Sequence, residues 1–119
     1  MIHFKIEEFE DSTAPGSGSK MQPRFLQMID NARTIAGVPF RINSGYRTPE
    51  HNAKVGGKKD SAHVKGFAAD IATSDARNRS IILNALIKAG FTRIGIGKTY
   101  LHADCDDSLP QNVMWDYYG

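Results

Sequence analysis

The runs RIGIG (93–97) and YLHADC (100–105) meet across Gly97-Lys98-Thr99. Both read as strands, and the connection is far too short for a parallel crossover, which takes a dozen residues or more. They must therefore pair antiparallel. Elsewhere helical and extended patterns alternate irregularly, without the regular βαβ rhythm of a parallel sheet. The fold class predicted is α+β: a small, largely antiparallel sheet with helices on one side.

The first helix is expected after Pro23, a residue suited to the first helical turn. Phe25, Ile29, Ala32 and Ala36 recur at helical spacing, and Gly37 can close the end. PFRIN (39–43) predicts a strand and TPEHNAKV one or two helical turns. VGGKKDSAH reads as a loop, and GFAADIAT as a strand of small residues that lets other backbone approach. Ser74 is the expected cap of a second long helix, whose stripe is Ile81, Ile82, Ala85, Leu86 and Ala89, with Gly90 as its stop. STAPGSGS (12–19) is linker-like. It is taken as a loop inside one domain spanning 1–119, with residues 1–19 as an N-terminal arm and loop.

Bulk properties narrow the function. A formal charge of +2 is too weak for a nucleic-acid footprint. No apolar run is long enough to insert in a membrane, and MIHFKIEEFEDS has no secretory character. The single cysteine, Cys105, excludes an intramolecular disulfide. A monomer made in the cytosol is the expectation.

Chemistry concentrates in three side chains. His63 lies seven residues before Asp70 in SAHVKGFAADI, and His102 sits in YLHADC. Zinc hydrolases use three protein ligands and leave the fourth position open; His63, Asp70 and His102 satisfy that count. In a strand, Asp70 projects opposite to Ala69 and Ile71. His102 and Asp104 share one face, with Leu101, Ala103 and Cys105 on the other. The plainer reading is a structural hydrogen bond between histidine and aspartate.

SGYRTPEHNAKVGG, SAHVKGFAADI and YLHADC together resemble the zinc D-alanyl-D-alanine carboxypeptidase family of peptidoglycan peptidases, which shares a Hedgehog-like fold and includes phage endolysins. Ser61, His63, Gly66, Ala68 and Asp70 fall on the family's S-x-H-x-x-G-x-A-x-D pattern. The resemblance implies Zn2+ on His63, Asp70 and His102, and a peptidoglycan stem peptide as the partner. It implies action at the cell wall, after phage-mediated release in a phage context. It places Arg47 at the substrate end of the cleft, to bind a carboxylate or stabilise an oxyanion. Ser61 would hydrogen-bond the site or fix the turn before His63, and Gly66 would let that loop bend.

One position departs from part of the family. Several members carry an acid three residues before the last ligand histidine, where this chain has Thr99. Asp104 is then the replacement general base, or else a partner that orients a ligand histidine. Carboxypeptidase and endopeptidase cleavage both stay open, as does a non-catalytic, zinc-containing wall-binding or phage structural module. Arg47 also has a plainer reading as a structural ion pair. His51 reads as surface or supporting, His3 has no visible role, and Trp115, Tyr117 and Tyr118 read as packing before cleft lining. GIGKT fails as a phosphate loop, because the first glycine it needs is Thr92.

Overall fold

The computed structural model describes residues 1–118. In chain order the elements are α1 (Pro23–Ala36), β1 (Ile42–Ser44), α2 (Pro49–Lys54), β2 (Ala68–Ala72), α3 (Ala76–Lys88), β3 (Arg93–Ile96), β4 (Tyr100–Asp104) and β5 (Val113–Asp116). The architecture is α+β with one five-stranded sheet, ordered β1-β2-β4-β3-β5.

The helices form where apolar spacing and end signals agree. α1 opens on Pro23 and buries Phe25, Ile29 and Ala32. It ends at Gly37, whose φ of 68° suits glycine and whose N–H bonds the Arg33 carbonyl. α3 buries Ile82, Ala85 and Leu86. Its cap is Asp75 and not the expected Ser74: the Asp75 carboxylate accepts the Asn78 N–H at 2.7 Å. Both are good cap types, and the helix begins one residue later than the serine would require. α1 and α3 share a core with one face of the sheet: Ile29, Ala32, Ile82 and Leu86 cluster with Ala69, Ile71, Ile94, Leu101 and Ala103. Phe25 and Phe91 meet edge-on, with centroids 5.8 Å apart. Burying a phenylalanine in this way contributes about 2–3 kcal/mol each.

The sheet is antiparallel through β1-β2, β2-β4 and β4-β3. The expected strand at 39–43 lies further along, at Ile42–Ser44, and pairs with β2 through a register shift. β5 was not anticipated. It adds to the β3 edge in parallel, Gly95 opposite Trp115.

The N-terminal arm is packed. Phe4 and Phe9 belong to the core, and the buried Asp30 carboxylate accepts the N–H groups of Ile2 and His3 at 3.0 and 2.9 Å. His3 Nε2 lies 2.8 Å from Thr34 Oγ1. The linker-like stretch ends in a 3-10 turn, Ser17–Lys20, with Ser17 and Gly18 buried. Gly18 is needed there, since a Cβ would lie 2.3 Å from the Ile6 carbonyl oxygen.

Candidate metal centre

Strand alternation sorts β2 and β4 into two faces. Ala69, Ile71, Leu101, Ala103 and Cys105 enter the core, while Asp70 stands directly opposite His102 across the ladder. The third group arrives from the loop before β2. Ser61 Oγ accepts the His63 N–H at 3.2 Å, fixing a turn. The His63 carbonyl accepts the N–H groups of Gly66 and Arg47. Gly66 has φ +79°, and a Cβ there would lie 2.3 Å from the Lys20 carbonyl oxygen. The loop therefore folds tightly against the segment before α1 and delivers His63 to the sheet.

The three ligand atoms converge. His63 Nε2 lies 3.3 Å from Asp70 Oδ1, and His102 Nδ1 lies 3.0 Å from the same oxygen. One ligand atom from each residue falls within 4.8 Å of the other two. A tetrahedral zinc with bonds of about 2.0–2.1 Å separates its ligand atoms by roughly 3.3 Å, so the spacing fits.

The far nitrogen of each histidine is anchored. His63 Nδ1 lies 2.8 Å from the Gly45 carbonyl oxygen, which can only accept, so that nitrogen carries the proton. His102 Nε2 lies 2.7 Å from Asp104 Oδ2. With those protons placed, the lone pairs of His63 Nε2 and His102 Nδ1 both face the Asp70 carboxylate. Three electron-pair donors aimed at one point repel unless a proton or a cation lies between them.

The electrostatics agree. Burial opposes charge on Asp70, but hydrogen bonds and charge from His102 and His63 outweigh it and hold the carboxyl below its usual range. Burial likewise disfavours His102 cation, yet Asp104 and Asp70 together raise its pKa. Metal binding would displace the shared proton.

A family model described as Peptidase M15 matches residues 2–106. The chain belongs to the peptidase M15 family. No curated protein matches it. The His63–Asp70–His102 cluster lies wholly within the residues matched to M15.

The remaining expected residues take up distinct places around this M15 site. Arg47 stands beside Asp70, with Nη2 3.9 Å from Oδ2, outside hydrogen-bond reach. Its Nη1 donates to Asn52 Oδ1 at 3.0 Å and its Nε to Ser44 Oγ at 3.3 Å. Gly57 makes that possible, since a Cβ there would sit 2.0 Å from Asn52 Oδ1. Ser61 serves the turn. His51 is away from the cluster and bonds Asp11 at 2.9 Å.

Asp104 has two expected roles, general base or partner that orients a ligand histidine. As a general base it would need an oxygen free to meet water. Instead it is 1% exposed. Oδ1 accepts from Arg93 Nε at 2.7 Å and from the Asp106 N–H at 3.2 Å, and Oδ2 faces His102. These contacts favour the orienting role toward His102.

The aromatic C-terminal segment lines the site face as well as packing there. Trp115 lies 5.5 Å from His102, ring to ring, and covers Gly95, where a Cβ would clash with the indole at 2.6 Å. Tyr117 rests on Tyr100 at 5.5 Å. The signal that could have found this was the cluster MWDYYG itself. Ser44 and Asn52 lie within SGYRTPEHNAKVGG but had no role assigned there, and Arg93 carried no such signal. Among the described residues no helix is long and apolar enough to cross a membrane.

Proposed function

We propose that the chain is a zinc-dependent peptidase that hydrolyses an amide bond in the peptide stem of bacterial peptidoglycan. The observation that carries the reading is the convergence of His63 Nε2, Asp70 Oδ1 and His102 Nδ1 on one point, each histidine held by its far nitrogen. His63, Asp70 and His102 would hold the zinc, which would supply Lewis-acid polarisation of the scissile carbonyl and lower the pKa of water to about 7.

The chain's own groups supply orientation. The Gly45 carbonyl holds the His63 Nδ1 proton and Asp104 holds that of His102 Nε2, so both free lone pairs keep their aim. Asn52 and Ser44 fix the Arg47 guanidinium at the edge of the cluster. Its Nη2 is left to meet a carboxylate or carbonyl oxygen of the stem peptide, a group for which a planar cation is well matched. Trp115 and Tyr117 form an aromatic wall on the β5 side.

A wall-binding module that holds zinc without efficient turnover is the second reading. It is favoured by the engagement of Asp104 and by Thr99, which offers no carboxylate. Mass spectrometry of fragments released from purified peptidoglycan separates the two. Stem cleavage by wild type, lost in His63→Ala, is the expected result and identifies the bond. Stoichiometric zinc with no released fragment would establish the module instead.

A further inference from the structure

We propose that Arg93 is a positioning residue of the metal centre, holding Asp104 so that Asp104 in turn fixes His102. The inference rests on the zinc reading above and concerns a residue two contacts away from the ion.

Arg93 stands where three strands meet. It is the ladder partner of Asp104 on one side and of Val113 on the other. Its side chain is 12% exposed. Nε donates to Asp104 Oδ1 at 2.7 Å, Nη1 donates to the Pro110 carbonyl at 2.6 Å, and the guanidinium lies 5.1 Å from the Trp115 ring centre. Asp104, 1% exposed, passes the restraint on through Oδ2 to His102 Nε2 at 2.7 Å. The line Arg93–Asp104–His102 is thus continuous at hydrogen-bond length up to the nitrogen opposite the ligand atom.

The chemistry requires the cation. A carboxylate this deeply buried is costly unless paired. Without Arg93 the Asp104 carboxylate would lose the partner that fixes its Oδ1, and His102 would lose an acceptor held in place to set its tautomer and ring angle. Lysine is a poor substitute, because one ammonium cannot reproduce a fork that reaches Asp104 and Pro110 while stacking on an indole. Pro110 and Trp115 both lie beyond residue 106, outside the residues the family model matches. The C-terminal segment therefore acts on the metal centre through Arg93.

The test measures zinc affinity by competition with a chromophoric chelator, on wild type, Arg93→Gln, Arg93→Lys, Asp104→Asn and the Arg93→Gln/Asp104→Asn double variant. Circular dichroism first establishes that each is folded. Arg93→Gln is expected to bind zinc about 10–100-fold more weakly, the range seen when partners of ligand histidines are removed. The double variant should be no weaker than Asp104→Asn within about twofold, since both act on one line. Cobalt-substituted Arg93→Lys should show altered visible bands at wild-type fold content, which a purely structural role would not produce. The proposal is overturned if folded Arg93→Gln holds zinc as wild type does, or if the two single losses multiply. Should Arg93→Gln not fold, Arg93→Lys carries the same affinity comparison. Wild type that binds no zinc would instead refute the metal reading itself.

Discussion

Two histidine–aspartate clusters lie in this protein, and they are built on opposite principles. In one, His51 meets Asp11; in the other, His63 and His102 meet Asp70. Asp11 is fully buried and saturated with donors. It accepts the N–H groups of Thr13 and Thr48, the Thr13 hydroxyl and His51 Nδ1, all at 2.8–2.9 Å. Asp70 meets two imidazole nitrogens whose companions have already been spent on Gly45 and Asp104. A carboxylate supplied with N–H groups is satisfied and inert. One facing two imidazole lone pairs needs a proton or a metal cation between them. Residue type does not distinguish the two, but the destination of the second imidazole nitrogen does.

The largest expected effect breaks the comparison at its centre. His63→Ala or His102→Ala removes one of the three proposed ligands, and zinc content should fall to near zero with hydrolysis down at least ~10³-fold, well beyond the loss from removing a supporting partner. His51→Ala should leave metal stoichiometry unchanged. Metal analysis of freshly purified variants reads both. Zinc lost equally from His51→Ala would erase the distinction.

The next effect lies in the other cluster. Asp11 links the N-terminal arm to Thr48, the cap of α2, and to His51 within it. Asp11→Ala orphans several buried donors, and the expected cost is about 3 kcal/mol. For a domain of this size that is a fall in Tm on the order of 10 °C. Zinc bound per folded molecule should not change. Calorimetry beside metal analysis would show the Asp70 cluster governing the metal and the Asp11 cluster governing the fold.

Acid separates them further. Burial pushes the Asp11 carboxyl up, but the bonds from Thr48, Thr13 and His51 outweigh it and hold the group well below its usual range. A depressed carboxyl binds fewer protons folded than unfolded, so its stabilisation is present above the unfolded value of about 3.9 and fades as pH falls through the folded one. The stability gap between wild type and Asp11→Asn should therefore be full at pH 6 and narrow below about pH 4. Urea melts across that range measure it. A gap that widens toward low pH would reverse the sign and discard the account.

Sequence disclosed the Asp70 cluster better than the Asp11 cluster because alternation along a strand is a local property. Asp70 against Ala69 and Ile71, and His102 against Leu101 and Ala103, could be sorted by period alone. So could the helices, whose apolar spacing and terminal glycines repeat one signal. Contacts set by register could not. Arg93 pairs with Asp104 only because β3 and β4 align Arg93 with residue 104 and Gly95 with 102; a shift of one residue would turn Arg93 to the core. β5 was hidden for a related reason. VMWD is a short edge strand without clean alternation, and its parallel pairing with β3 depends on where the preceding loop leaves the chain. The contacts that favour one of the two readings of Asp104 depend on both pieces, and above all on where Arg93 lies.

The smallest effect asks how far the metal cluster depends on its approach loop. Ser61 accepts the His63 N–H at 3.2 Å and is placed in the turn, away from any ligand nitrogen. Removing a hydroxyl with one such bond costs about 0.5–1 kcal/mol. Other bonds still brace the turn: Val64 N–H to the Ser61 carbonyl, Gly66 N–H to that of His63, and Arg47 N–H to the same acceptor. Ser61→Ala should therefore lower Tm by a few degrees and leave KM for stem peptides nearly unchanged, with kcat reduced no more than severalfold. A serine that touches substrate would show the reverse, a raised KM at wild-type Tm. Steady-state kinetics beside a melting curve would decide whether His63 is set by its turn as firmly as His102 is set by its strand.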